Sequence, residues 1–91
     1  MNTDFTKPFD KDVNNIIDAT LLERIEQAIL NVEEAPTTRE IHELRKLKGF
    51  KEGIFYRIKI GSHRIGVTIE GGLVTFARCL PRKDFYKKFP Y

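Results

Sequence analysis

Tryptophan is absent from the 91 residues, cysteine occurs once, at position 79, and histidine twice, at 42 and 63. A single cysteine excludes an internal disulfide and any zinc site built from several cysteines. Cys79 fits a reducing compartment, and on an apolar stretch it reads as a small buried hydrophobe rather than a nucleophile. Two histidines are too few to carry a metal-site or catalytic-triad argument. Long hydrophobic runs are missing too. Uncharged stretches such as Gly71–Ala77 fall far short of the roughly 20 residues that a membrane-spanning helix needs. The opening Met1-Asn2-Thr3-Asp4-Phe5 lacks the basic start and apolar run of a secretory signal. Together these absences predict a cytoplasmic protein with no membrane contact, no metal and no cofactor.

What is present is enough apolar material for one core. The chain is 41% hydrophobic, with seven Phe and three Tyr. Its length predicts a single domain over residues 1–91, with no room for a separate cofactor domain. The small net charge of +3 hides a split between the halves. Residues 1–45 hold ten acids against five bases, and residues 46–91 hold eleven bases against three acids. A basic half of this kind points to an anionic partner, phosphate backbone being the commonest.

The apolar pattern divides the chain into helices and then strands. Thr6 precedes Lys7-Pro8-Phe9 as a helix cap with proline in the first turn. Phe9, Val13, Ile16 and Ile17 follow at helical spacing. Thr20-Leu21-Leu22-Glu23 matches a capping box and starts a second helix, which Pro36 ends. The short link predicts an antiparallel pair of helices. Ile41, Leu44 and Leu47 suit a helical turn, without flanks for a long helix. From Ile54 the period becomes two. Ile54, Tyr56, Ile58 and Ile60 share one face of a first strand, with Phe55, Arg57 and Lys59 on the other. Gly61-Ser62 is a turn, His63–Glu70 a second strand, Gly71-Gly72 a tight hairpin. Leu73–Leu80 is apolar on both faces and therefore an interior strand. Pro81 stops it, and a short basic and aromatic tail follows. The predicted class is α+β: two N-terminal helices on one face of a small, mainly antiparallel sheet, closed by a short tail helix.

The uncovered sheet face must then carry Arg57, Lys59 and Arg64. Arg82, just beyond the third strand, could close the same surface, with Tyr86 one helical turn further on. Like charges so placed are best tolerated beside a polyanion. Cleavage of RNA by its own 2′-hydroxyl needs a base, stabilised phosphoryl oxygens and a neutralised leaving oxygen. Neighbouring positive charge disfavours an ammonium ion, which makes Lys59 the candidate base. The arginines offer forked donors for phosphoryl oxygens. Tyr86 can stack on a nucleobase or donate a hydrogen bond. Lys83, Lys87 and Lys88 are candidate RNA-backbone contacts. Arg78 falls mid-strand, where a cation must be paired or reach an edge; it and His63 are further candidate RNA contacts.

Leu47-Lys48-Gly49, then Tyr56-Arg57-Ile58-Lys59-Ile60-Gly61-Ser62-His63-Arg64-Ile65-Gly66, then Pro81-Arg82-Lys83-Asp84-Phe85-Tyr86 resemble, in order and spacing, the RelE/ParE superfamily of bacterial toxins. The resemblance covers about the whole chain. It implies a RelE-like microbial RNase fold and the toxin of a type II toxin–antitoxin system. It further implies a metal-independent endoribonuclease that enters the ribosomal A site and cuts translated mRNA. The implied partners are a cognate antitoxin and, through the complex with it, operator DNA. Carried over by position, Arg57 and Lys59 match the cations of the first meander strand. Arg64 matches the phosphate-binding arginine, Arg82 the arginine acting on the leaving group, and Tyr86 the tail tyrosine that orients a nucleotide. The chain departs from the pattern in three places. Arg57 stands where relatives often have lysine, Pro81 where many have histidine, and His63 where many have tyrosine. The family's first strand is expected to be reduced to about Asn2–Phe5. Two other readings share the fold: a ParE-like inhibitor of DNA gyrase, and an RNA-binding relative without activity. A ParE-like inhibitor is expected to lack much of the set Arg57, Lys59, Arg64, Arg82 and Tyr86.

Overall fold

A computed structural model describes residues 1–90. Strand β1 (Asn2–Phe5) leads into helices α1 (Lys7–Asn14) and α2 (Ala19–Glu34), then a 3-10 turn at Thr38–Glu40. Strands β2 (Leu44–Lys46), β3 (Phe55–Ile60), β4 (His63–Glu70) and β5 (Leu73–Pro81) follow, and helix α3 (Arg82–Lys88) comes last. The sheet order is β1-β5-β4-β3-β2. Among the described residues only the β1–β5 pairing is parallel. This is the expected α+β arrangement, including the short first strand.

The Thr6 hydroxyl accepts from the Phe9 N–H and donates to the Ala77 carbonyl. The cap that starts α1 therefore also fastens it to β5. The cap of α2 is Asp18, two residues before the expected Thr20. Asp18 Oδ1 accepts from the Thr20 and Leu21 N–H groups at 2.9 and 3.2 Å. The Thr20 N–H that a returning Glu23 carboxylate would need is thus already taken, and Asp18 adds negative charge at the helix N-terminus.

The segment 41–47 is a turn leading into the three-residue strand β2 rather than a helical turn. Ile41 is buried in the core, and Glu43 adopts φ 61°. That left-handed residue redirects the chain into β2, which pairs with Tyr56–Ile58 along the sheet edge. The three-residue spacing of Ile41, Leu44 and Leu47 imitates a helix. In fact Ile41 and Leu44 join the helix-side core, and Leu47 faces the opposite cluster.

Helix-side packing buries Phe9, Ile25, Val32, Ile58, Ile65, Val67, Val74 and Phe76. A β-bulge explains how β5 is apolar on both faces. Val67 pairs with Phe76 but Gly66 pairs with Arg78, so Ala77 is the extra residue. Alternation resets there, which lets both Phe76 and Cys79 face the helices. The second sheet face is not wholly open, as the sequence suggested. Helix α3 packs on it through Leu80, Phe85 and Phe89, with Leu47, Phe55 and Ala77 alongside. Gly66 is what admits Phe89, because a Cβ there would lie 2.8 Å from three atoms of the ring.

Cys79 is buried, and its thiol is pushed up to about 12 by that burial and, secondarily, by the Asp12 charge. Alkylation with iodoacetamide at pH 8 is therefore expected to label the native protein only slowly and the unfolded protein promptly. Fast labelling in the folded state would contradict the packing of β5 described above. No helix among the described residues is long and apolar enough to cross a membrane.

Candidate functional site

Residues paired across neighbouring strands share a sheet face. The register sets Arg57 opposite Gly66 and Lys59 opposite Arg64. On the other side of β3, Arg45 stands opposite Arg57. Arg45, Arg57, Lys59 and Arg64 therefore form one patch of cations across three strands, on the face away from α1 and α2. Arg45 escaped the sequence reading because β2 did. Two like-charge cross-strand pairs side by side oppose sheet formation slightly. Such a patch is chemically suited to an anion.

The four side chains are held differently. Lys59 and Arg45 are exposed. Arg57 is half-buried, and its Nη1 donates to the Glu43 carbonyl at 3.1 Å. Arg64 is only 7% exposed. Its Nη1 donates to the carbonyls of Gly61 and His63 at 2.8 and 2.9 Å. Its Nε is enclosed with no acceptor, an exception to the rule that buried donors are satisfied.

Helix α3 brings two more groups to this end of the sheet. The Arg82 N–H donates to the Ser62 carbonyl at 2.8 Å, so α3 begins against the β3–β4 turn that also holds Arg64. Arg82 and Tyr86 stand four residues apart, on one flank of the helix. Tyr86 is 55% exposed, and its ring meets Phe85 edge-on at 5.0 Å. Buried Phe85 and Phe89 anchor the opposite flank. Lys83, Lys87 and Lys88 are exposed along α3. Lys87 and Lys88 lie in its last turn, where positive charge also suits the helix dipole.

Two candidates are engaged otherwise: Arg78 shares the face of the patch through its pairing with Gly66 but is bound to a carboxylate, and His63 lies on the other face. Arg78 makes a two-pronged ion pair with Asp12, at 2.8 Å from Nε and 3.1 Å from Nη2. The same carboxylate accepts the Cys79 N–H. The contact holds the guanidinium's proton more firmly and pins α1 to β5 where β1 has ended. His63 shares the face of Ile65, towards the helices, since it pairs with buried Ile60. Burial lowers its pKa, and the nearby Asp18 charge acts in the opposite sense.

A lowered histidine pKa means that the unfolded chain takes up the proton first. The contribution of His63 to stability is then complete above its ordinary value of 6.5 and declines as pH falls below it. His63→Gln is expected to flatten the loss of thermal stability between pH 7.5 and 5.5. An unchanged slope in the variant would assign that loss to other groups.

Among the described residues, no group of three or more His, Cys, Asp or Glu is gathered to hold a metal ion. The chemistry this face offers is that of cations: Lys59 and Arg64 as neighbours, Arg57 beside them, Arg82 across the turn. Such a surface can grip phosphate, neutralise charge on its oxygens and present an aromatic ring to a base.

Two helices on one face of a five-stranded sheet, with strand cations and a basic tail helix on the other, are the arrangement that the resemblance to the RelE/ParE superfamily implied. A family model described as "ParE toxin of type II toxin-antitoxin system, parDE" matches residues 4–86. The chain belongs to this family and is the toxin of a type II toxin–antitoxin system. It is 33% identical to Toxin RelE3 of Methanocaldococcus jannaschii over 90 residues, which span 94% of this chain and 96% of that protein. In the crystal structure of a RelB-RelE antitoxin–toxin complex from Methanococcus jannaschii, a chain superposes with a TM-score of 0.79 at 30% identity. That match covers 96% of this chain and 99% of the other. An archaeal RelE-RelB complex from Pyrococcus horikoshii OT3 shares the fold, with a TM-score of 0.69 at 19% identity over 89% of this chain and 93% of its own.

Proposed function

We propose that this toxin is a ribosome-dependent endoribonuclease that cuts translated mRNA without a metal ion. The observation that carries the reading is the meeting, at the β3–β4 turn, of the Lys59–Arg64 cross-strand pair with the start of α3 at Arg82. In this reading Lys59 takes the proton of the 2′-hydroxyl, whose oxygen attacks the adjacent phosphorus. Arg57 and Arg64 hold the phosphoryl oxygens as charge builds on them. The P–O5′ bond breaks against Arg82, and the departing oxygen takes a proton from water. Lys59 returns its own proton to solvent. The products are a 2′,3′-cyclic phosphate and a 5′-hydroxyl end. Tyr86 stacks on a nucleotide at the site. Lys83, Lys87, Lys88 and Arg45 contact RNA backbone, while Arg78 and His63 are assigned to the scaffold. A cytoplasmic antitoxin neutralises the protein, as the complexes formed by its relatives suggest, and operator DNA is bound through that complex.

A second reading shares this fold: a ParE-like inhibitor of DNA gyrase that acts by binding, without cutting RNA. Brief induction of the toxin without antitoxin, followed by mapping of RNA 5′ ends, separates the two. New 5′ ends inside translated reading frames are expected within minutes. Growth arrest with intact messages and altered DNA supercoiling would assign the toxin to gyrase.

A further inference from the structure

The β3–β4 turn does more than reverse the chain. Its three successive carbonyls are all used by two of the three arginines assigned to the reaction, Arg64 and Arg82. Gly61 O and His63 O accept from Arg64 Nη1, and Ser62 O accepts from the Arg82 N–H. Both residues are therefore registered to the same three peptides, and a displacement of the turn moves them together. The clamp also selects which edge of Arg64 is left without a hydrogen-bond partner. A guanidinium has five N–H donors. With both on Nη1 engaged, Nε–H and the Nη2 pair remain, and these form a fork that matches two oxygens of one phosphate. The Nε–H has no protein acceptor although the residue is almost wholly buried. A phosphoryl oxygen would supply what it lacks.

The turn is itself supported from the helix side. Gly61 has φ 55°, in the left-handed region. The Arg24 guanidinium, from α2, lies so close that a Cβ on Gly61 would come 2.8 Å from its Nη1 and 3.6 Å from its Cζ. Among the described residues Arg24 makes no ion pair. An arginine on an exposed helix surface without a carboxylate, set against a glycine turn, has packing as its contribution there.

We propose that Arg24 and Gly61 are positioning residues, which together hold the β3–β4 turn so that its carbonyls aim Arg64 and Arg82 at one phosphate. The inference rests on the nuclease reading for its consequence and on the turn geometry for its mechanism. The test keeps these apart by using two readouts on the full-length toxin. The first is cleavage of mRNA on programmed ribosomes. Arg24→Ala and Gly61→Ala are expected to lower kcat by about 10- to 100-fold, the scale of a small misplacement of reacting groups, with KM unchanged. Arg24→Lys, which refills most of the space, is expected to recover most of the rate. A rise in KM with kcat unchanged would make Arg24 a substrate contact and overturn its positioning role. The second readout needs no cleavage. The Arg64 Nε–H is followed by nitrogen-15 NMR as inorganic phosphate is added. In the native toxin the resonance is expected to be sharp, slow to exchange and shifted by phosphate; in Arg24→Ala it is expected to broaden and lose that response. Should the native toxin fail to cut any message, the nuclease reading falls, and this second readout still decides the matter. An Arg64 signal identical in native protein, Arg24→Ala and Gly61→Ala, with all three folded by thermal melting, would overturn the proposal.

Discussion

Arg82→Ala is expected to abolish growth arrest on induction and to lower mRNA cleavage by about 10²- to 10³-fold, the usual cost of losing one donor from a site that stabilises developing charge. The substitution is clean for a structural reason. What ties α3 to the β3–β4 turn is the backbone N–H of residue 82, bound to the Ser62 carbonyl, and alanine keeps it. The Arg82 side chain is exposed and makes no ion pair among the described residues. Alanine is also the best helix former at an exposed position. Unfolding in urea should be nearly unchanged, so a loss of cutting reports chemistry. A folded Arg82→Ala variant that remains fully toxic would remove Arg82 from the mechanism.

Phe85→Ala attacks the same chemistry through packing. Phe85 is 0% exposed, and its ring stacks on Phe89 at 5.3 Å. Phe89 in turn meets Phe55 edge-on at 6.0 Å and lies over Gly66. Truncating a buried phenylalanine costs about 3–5 kcal/mol, and the cost falls on the small cluster that seats α3. Lysines, Asp84 and Tyr86 make up most of what remains of that helix, so little else holds it to the sheet. The expected outcome is loss of cleavage together with a clear drop in the urea midpoint. Phe85→Leu, which keeps most of the volume, should restore much of both. If α3 were held mainly by its polar contacts, Phe85→Ala would retain both stability and activity.

These expectations draw on parts of the molecule that differ in how far the sequence exposes them. Alternation from Ile54 to Glu70 gives β3, β4 and the faces of Arg57, Lys59 and Arg64, because a strand buried on one side has a period of two. The Thr6 cap is equally local. The face of His63 was legible as well, since the alternation that sends Ile65 and Val67 inward sends His63 with them. Its place beside a turn and an arginine suggested RNA instead. Strand β2 was hidden because three residues are too few to show a period and because Glu43 takes a left-handed conformation. Arg45 went unnoticed with it. The partner of Arg78 is 66 positions away in the chain, and nothing local to a strand names a carboxylate on α1. The covering of the second face by α3 depends on Gly66 making room for Phe89, a contact between residues far apart in sequence.

In the proposed mechanism, guanidinium and ammonium groups gathered at the β3–β4 turn cut RNA through its own 2′-hydroxyl. The most direct measurement is the chemistry of the ends left when purified toxin acts on mRNA held by ribosomes. The expected result is a 5′-hydroxyl on the downstream fragment, which ligates only after treatment with a polynucleotide kinase, and a cyclic phosphate upstream. A downstream fragment bearing a 5′-phosphate, the mark of attack by water and departure of the 3′-oxygen, would contradict it.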